Sequence, residues 1–127
     1  HHIKLDAQIK DEEYYMMGDY YRLNQVLINI FKNAVEAMKE NGRLEIYTKV
    51  NHHQLMIYVK DNGEGISDEH LNKIAEPFFT TKEHGTGLGV GLSMEIVKKH
   101  HGTMKYHSKV GNGTTVILTF PLLAIYE

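Results

Sequence analysis

Two stretches of alternating apolar and polar residues constrain the fold of this chain more than any other feature. They cover residues 44–50 and 54–61, and only residues 51–53 separate them. Alternation with a period of two is typical of strands that bury one face, and so short a connection joins antiparallel neighbours. The sequence therefore predicts a β-hairpin over residues 44–61.

Helices are predicted before and after this hairpin. Between Asp19 and Met38 the apolar residues recur at helical spacing and form a single stripe, with Asp19 as the N-cap. Asn41-Gly42 is predicted to end this helix in a turn. A second long helix is predicted from about Leu88 to His100. Its inward-facing residues are predicted to be Leu92, Ile96 and Val97.

Shorter elements complete the predicted fold. Ser67 is typical of the cap of a short helix, residues 103–109 and 114–121 predict another hairpin, and residues 3–17 predict two short strands. The expected fold class is α+β, an α/β sandwich in which a mixed, mostly antiparallel sheet of about five strands packs on about three helices. We expect residues 3–127 to form one domain, because a chain of 127 residues fits one domain rather than two.

Composition excludes several classes of function. The chain has no cysteine, so disulfides and thiolate metal sites are excluded. Its 14 basic and 16 acidic residues are mixed along the chain, and no basic stripe indicates a nucleic-acid or membrane surface. The longest apolar stretch, residues 116–125, is far shorter than the roughly 20 residues that span a bilayer. We expect a cytoplasmic domain that contacts neither nucleic acid nor membrane.

Two amides on the first predicted helix are candidate ligands. Asn29 and Asn33 are four residues apart and therefore share a helix face. An amide oxygen suits Mg²⁺, which keeps several waters and takes further ligands from phosphate. The same pattern is also typical of solvated surface amides.

The segment Asp61-Asn62-Gly63-Glu64-Gly65-Ile66 directly follows an apolar strand. A carboxylate at a strand end can accept a hydrogen bond from an exocyclic amine such as that of adenine. The two glycines let the backbone approach a flat ring closely. An ordinary turn is the alternative, whereas a calcium loop is disfavoured because the other acidic ligands are not in register.

A glycine-rich segment, residues 85–91, opens the second long helix. Free N–H groups at a helix N-terminus favour phosphate, although such a segment can equally be a hinge. It is neither a Walker A loop nor a dinucleotide fingerprint, because the lysine and the preceding strand are missing. Gly111-Asn112-Gly113 by itself indicates a hairpin turn.

Taken in order, these segments resemble the catalytic domain of sensor histidine kinases, which has the Bergerat ATP-binding fold. The same superfamily contains gyrase, mismatch-repair ATPases and a heat-shock chaperone. The resemblance runs from Asp19 to Pro121. The amino-acid sequences of residues 33–38 and 76–82 are most similar to those of nitrogen-sensing and sporulation-type kinases.

The resemblance implies a role for each matching residue. Asn33 is expected to coordinate Mg²⁺, with Asn29 beside the phosphates of ATP. Asp61 is expected to bind the adenine amine, directly and through a water shared with Thr115. Lys82 is expected to reach a terminal phosphate and to act with the two asparagines in catalysis. The remaining expected ATP contacts are Gly63, Gly65, Ile66, Phe79, Gly85, Thr86, Gly87, Leu88 and Gly89.

Asn29 also separates kinase from hydrolase. It occupies the position at which hydrolysing relatives carry a water-activating glutamate, and an amide cannot act as a general base. The phosphoryl acceptor is then expected to be a histidine on a separate dimerisation domain of the same protein. None of the nine histidines here lies in the His-Glu or His-Asp context, followed by proline, of the histidine that this family phosphorylates. A response regulator is the expected indirect partner, and the isolated domain is expected to be monomeric.

Glu36 occupies a position at which many family members carry Lys or His. An ATPase, a serine kinase of the anti-sigma type and a non-catalytic nucleotide-binding module are the alternatives.

Overall fold

The computed structural model describes residues 3–8, 18–38, 41–51, 53–73 and 89–122, with the backbone alone described for the first range. Its elements follow the chain in a simple order. They are β1 (Ile3–Gln8), α1 (Tyr20–Ala37), β2 (Gly42–Asn51), β3 (Gln54–Asp61), α2 (Asp68–Leu71), α3 (Gly89–Lys99), β4 (Thr103–Ser108) and β5 (Thr114–Pro121).

The five strands form one sheet in the order β1-β2-β3-β5-β4. β2 to β5 pair antiparallel, and both predicted hairpins are present. In the first hairpin Asn51 pairs with Gln54, so the connection between the strands is short, as predicted. β1 lies at the edge and is parallel to β2. The predicted fold class is confirmed, while the second strand expected within residues 3–17 falls outside the described residues.

The core lies between the sheet and the helices. α1 packs on β2 and β3 and against α3, and α3 packs on β4. The buried apolar side chains that these elements contribute are Val26, Ile30, Ala34, Met38, Leu44, Val59, Ile96, Val97, Val116, Leu118 and Phe120. Within the described residues, none of the helices has the length and apolar character needed to cross a bilayer.

The inward face of α3 differs from the prediction at one position. Ile96 and Val97 are buried as expected, but Leu92 is 40% exposed and the prediction that it faces inward is wrong. Ser93, 1% exposed, takes the inward place. Residues 93, 96 and 97 follow the i, i+3, i+4 spacing of one helix face. Residue 92 is close to Ile96 in angle but about 140° from Val97, so it falls at the edge of that face.

The start of α1 is tied to the end of α3. Asp19 is the N-cap, as predicted, and its Oδ1 accepts hydrogen bonds from Tyr21 N (3.0 Å) and Arg22 N (3.2 Å). The Asp19 backbone N–H donates to His100 Nε2 at 2.9 Å, while His100 Nδ1 lies 2.8 Å from the Ile96 carbonyl oxygen. Because a carbonyl can only accept, Nδ1 carries the proton and Nε2 accepts. His100 therefore connects the two helices through both of its ring nitrogens.

Candidate functional site

Three polar side chains lie side by side where three adjacent strands meet the loops. Asp61 ends β3, Thr114 begins β5 and Ser108 ends β4, and the register pairs Asp61 with Thr114 and Thr114 with Ser108. Asp61 is 5% exposed and Thr114 is 7% exposed. Cross-strand partners project from the same face of a sheet. The three residues therefore form a polar row on the face that carries the core.

The carboxylate of Asp61 is held at one of its two oxygens. Oδ1 accepts hydrogen bonds from Gly63 N at 2.8 Å and from Thr114 N at 3.3 Å. Among the described residues these are the hydrogen bonds that the carboxylate makes, and both of them involve Oδ1. Burial raises the pKa of Asp61 above its ordinary value, and the two backbone N–H bonds oppose that rise. The site thus holds a fixed, poorly solvated acceptor.

The glycines after Asp61 fit between two parts of the protein. Glu64 N donates to the Ala37 carbonyl at 3.1 Å, and a Cβ at Gly63 would lie 2.5 Å from that same oxygen. Gly65 has a φ of 77°, and a Cβ there would overlap the carbonyl oxygen of Lys109. Both glycines are explained by close backbone approach within the chain. Their predicted place against the base stays a prediction.

A hydroxyl network fixes the turn between β4 and β5. Ser108 Oγ accepts from Ile66 N at 2.7 Å and donates to the Gly113 carbonyl at 2.9 Å. It also lies 2.7 Å from Thr114 Oγ1. Ile66 itself is half-buried, and its predicted apolar contact with a base stays a prediction. The network joins the loop after β3 to the first residue of β5.

Thr115 was expected to share a water with Asp61, but the strand register places its neighbour Thr114 beside that carboxylate. Thr114 pairs with Asp61, whereas Thr115 pairs with Lys60 on one side and His107 on the other. Neighbouring residues of a strand point to opposite faces, so the Thr115 side chain lies on the face away from the core. The buried positions Val116, Leu118 and Phe120 continue the alternation from Thr114. That alternation was available in the sequence.

The two asparagines lie on α1 as predicted. Both are half-buried, and Asn29 Nδ2 donates to Ser93 Oγ at 3.4 Å. Ser93 thus holds the amide nitrogen of Asn29. Ser93, Ser108 and Thr114 were missed by sequence reasoning, and only Thr114 was signalled by the strand pattern. The contacts of the two serines depend on tertiary packing, of α1 against α3 for Ser93 and of β4 against the loop after β3 for Ser108.

The glycine-rich segment does open a helix, since α3 begins at Gly89. The other predicted contacts from this part of the chain fall outside the described residues. They are Phe79, Lys82, Gly85, Thr86, Gly87 and Leu88.

Carboxylate and histidine side chains do not converge on a metal site in the described part of the chain, where no group of three or more His, Cys, Asp or Glu is placed to hold an ion. The amide oxygens of α1 suit a different kind of ion, one that takes most of its ligands from water and phosphate. Mg²⁺ accompanying a nucleotide fits this donor set.

Comparison with known proteins places the chain in a family. The family model described as histidine kinase-, DNA gyrase B-, and HSP90-like ATPase matches residues 18–124. The chain belongs to this family. The resemblance inferred from the motif order is thereby confirmed.

Named relatives of this ATPase family are sensor and sporulation kinases. Sporulation kinase A of Bacillus subtilis (strain 168) is 43% identical over 119 residues, which cover 94% of this chain and 20% of that protein. Sporulation kinase C of the same strain is 40% identical over 94% of this chain and 28% of its own length. Sensor histidine kinase ZraS of Escherichia coli (strain K12) is 37% identical over 84% of this chain and 23% of its own length. The chain spans less than a third of these relatives.

Solved structures agree with this placement. The catalytic domain of the histidine kinase ThkA superposes with a TM-score of 0.83 at 34% identity, covering 94% of this chain and 78% of that chain. Full-length ShkA in complex with AMPPNP superposes with a TM-score of 0.84 at 22% identity, covering 98% of this chain and 27% of that chain. At that identity the likeness to ShkA concerns the fold.

Proposed function

We propose that this chain binds Mg-ATP beside α1 and donates the γ-phosphoryl group to a histidine on a separate dimerisation and phosphotransfer domain of the same protein. The observation that carries the proposal is the buried Asp61 carboxylate. One of its oxygens is held by backbone N–H groups, and the other makes no hydrogen bond to the residues that the structure describes.

The adenine end of the site is the polar row. Asp61 Oδ2 and Thr114 Oγ1 lie on one face of the sheet and can both accept, and an exocyclic amine carries two N–H donors. Thr114 replaces Thr115 in this role, because it is the residue paired with Asp61. Burial strengthens such hydrogen bonds and makes an unmatched ligand group costly.

The phosphate end is proposed to involve α1 and the segment that opens α3. Asn33 would hold Mg²⁺ through its amide oxygen, with Asn29 beside the phosphates. When bound, the ion neutralises phosphate charge and helps to position the transferred group. Lys82 and the backbone of residues 85–89 are proposed to contact the phosphates, because the N-terminus of α3 attracts negative charge.

Transfer to a protein side chain is favoured over hydrolysis by the chemistry at Asn29. This neutral amide donates to Ser93 and has no basic atom that could take a proton from water. In-line transfer needs positioning and charge neutralisation more than covalent chemistry from the protein. A histidine supplied from outside the domain is then the proposed nucleophile.

The surrounding system is part of the proposal. The relatives are several times longer than this chain and include sporulation and sensor kinases. We propose that the phosphohistidine domain belongs to the same protein, that a response regulator receives the phosphoryl group afterwards, and that the reaction takes place in the cytoplasm. The chain is proposed to be monomeric when isolated.

The test is a transfer assay with two acceptors. The chain is mixed with Mg²⁺ and radiolabelled ATP, together with either a histidine-bearing helical hairpin from a sporulation kinase or a serine acceptor protein. We expect label on histidine, recognised by its acid lability, and little free phosphate. Label on serine would support the serine kinase instead, and rapid phosphate release by the chain alone would support the ATPase.

A further inference from the structure

Ser108 lies one strand beyond the pair proposed to bind adenine, and its Oγ takes part in three hydrogen bonds. Its Oγ is 2.7 Å from Ile66 N, 2.9 Å from the Gly113 carbonyl oxygen and 2.7 Å from Thr114 Oγ1. A hydroxyl has one proton and two lone pairs. These three partners therefore determine which group donates in each bond.

The proton of Ser108 is committed to the Gly113 carbonyl, since a carbonyl can only accept. One lone pair of Ser108 is taken by the backbone N–H of Ile66. The remaining lone pair faces Thr114 Oγ1, so the proton between the two hydroxyls belongs to Thr114. Among the described residues this contact is the hydrogen bond that the Thr114 hydroxyl makes. Thr114 consequently presents lone pairs, and no proton, to its neighbourhood.

Asp61, the cross-strand partner of Thr114, also offers a hydrogen-bond acceptor. Its Oδ1 is occupied by Gly63 N and Thr114 N, and its Oδ2 is an acceptor when the carboxyl is ionised. Two acceptors on one face accept two N–H groups from an amine. They can also accept both protons of a water, and that water must then accept from the base. A keto oxygen in place of the amine would face lone pairs in both cases, those of Asp61 and Thr114 when it binds directly and those of the water when a water lies between.

We propose that Ser108 is a positioning residue that makes the site select a 6-amino purine over a 6-oxo purine, by holding the Thr114 hydroxyl as an acceptor. This inference rests on the proposed function, because it assumes that adenine lies at Asp61. Removing the Ser108 hydroxyl frees the Thr114 proton. Thr114 can then donate to a 6-oxo group or to the water beside it.

The experiment is calorimetric titration of the chain with Mg²⁺ and either ATP or inosine triphosphate, which carries oxygen in place of the amine. The wild type is expected to prefer ATP by about tenfold or more. Ser108→Ala is expected to bind ATP more weakly and inosine triphosphate more tightly, bringing the preference within about threefold. A purely structural role would weaken both nucleotides alike, so opposite changes are the diagnostic result.

Three further variants complete the design. Ser108→Thr keeps a hydroxyl and should keep the wild-type preference, and Thr103→Ala removes an exposed hydroxyl elsewhere on β4 and should change nothing. In a Thr114→Val background Ser108→Ala should leave the preference unaltered, because the residue acts through Thr114. Should Ser108→Ala fail to fold, Ser108→Cys takes its place, since a thiol donates only weakly.

An unchanged preference in folded Ser108→Ala, or equal loss of both nucleotides, would overturn the inference while leaving the proposed function intact. A wild type that selects ATP in this way but transfers nothing to histidine would reject the proposed function and leave the role of Ser108 standing. A wild type that binds neither nucleotide would reject both.

Discussion

At the scale of single residues, Asp61 is the position where stability and proposed function conflict. Its carboxylate is 5% exposed, and the described part of the chain supplies it with two backbone N–H donors, both at Oδ1. Burial raises the pKa of Asp61, so the charged form is less favourable in the folded chain than in the unfolded chain. A residue kept under such conditions is typical of a binding site.

Replacing Asp61 with Asn should separate the two effects. The amide oxygen can still accept from Gly63 N and Thr114 N, while the buried charge is gone, so the free energy of unfolding at neutral pH should equal or exceed that of the wild type. ATP affinity should fall by about 10- to 100-fold, because a charged acceptor for the amine is lost. Urea denaturation and calorimetry measure the two quantities. A variant that binds ATP like the wild type would contradict the adenine assignment.

The pH dependence follows from the sign of this shift. Between the unfolded pKa and the higher folded pKa of Asp61, the folded chain binds more protons, so this residue's effect is to lower stability as pH rises through that window. ATP affinity should change in the opposite direction. It should fall on acidification towards the folded pKa, because a protonated Oδ2 can no longer accept. Titrations over a pH series, with Asp61→Asn as the insensitive control, test this.

Two glycines with positive φ offer a matched comparison. Gly65 and Gly111 have φ values of 77° and 86°, but a Cβ at Gly65 would overlap the Lys109 carbonyl, whereas a Cβ at Gly111 would meet nothing within 4 Å. Gly111→Ala should therefore cost about 1 kcal/mol of unfolding free energy from backbone strain alone. Gly65→Ala should cost clearly more. Equal losses in urea denaturation would show that the close approach at Gly65 is unimportant.

At the scale of elements, α3 ends in a capping arrangement that a non-glycine residue occupies. Gly102 N donates to the Val97 carbonyl at 3.0 Å and His101 N to the Lys98 carbonyl at 3.0 Å. This is the Schellman pattern, whose C′ residue is left-handed and usually glycine. Here that residue is His101, with a φ of 61°. The helix end is well bonded but locally strained.

His101→Gly should stabilise the chain by about 1 kcal/mol, because glycine adopts this conformation without a Cβ penalty. The adjacent substitution His100→Ala should instead destabilise by about 0.5–1 kcal/mol, since it removes the hydrogen bond from the exposed Asp19 N–H, which water can then partly satisfy. His107→Ala, at an exposed position of β4, serves as the neutral control. Thermal denaturation of the three variants would contradict this view of the helix end if His101→Gly lowered the midpoint.

At the scale of the whole molecule, the proposed ligand joins parts of the chain that are far apart in sequence. α1 supplies the asparagines, while β3 and β5 supply the polar row. The loop after β3 links these parts, because Glu64 N donates to the Ala37 carbonyl and the Glu64 carbonyl accepts from Gly111 N. A ligand held by all of these elements binds the folded chain and not the unfolded one. Binding should therefore be visible as global stabilisation.

Mg²⁺ with AMPPNP at about 100 times its dissociation constant should raise the free energy of unfolding by about 2.7 kcal/mol. Removing Mg²⁺ with a chelator should reduce this gain, because the proposed amide ligands contact the phosphates mainly through the ion. Differential scanning fluorimetry measures both effects. No shift at any nucleotide concentration would favour a non-binding interaction module.

The amino-acid sequence by itself determined the local structure and the family. Periodicity, caps and turns are properties of neighbouring residues, which is why α1, both hairpins and the positions of Asn29, Asn33 and Asp61 on them could be predicted. The tertiary structure alone decided the parallel edge strand, the inward place of Ser93 and the pairing that brings Asp61, Thr114 and Ser108 together in the polar row. These features depend on which segments meet across long sequence separations, and hydrogen-bond direction at Ser108 is set only when all three partners are assembled.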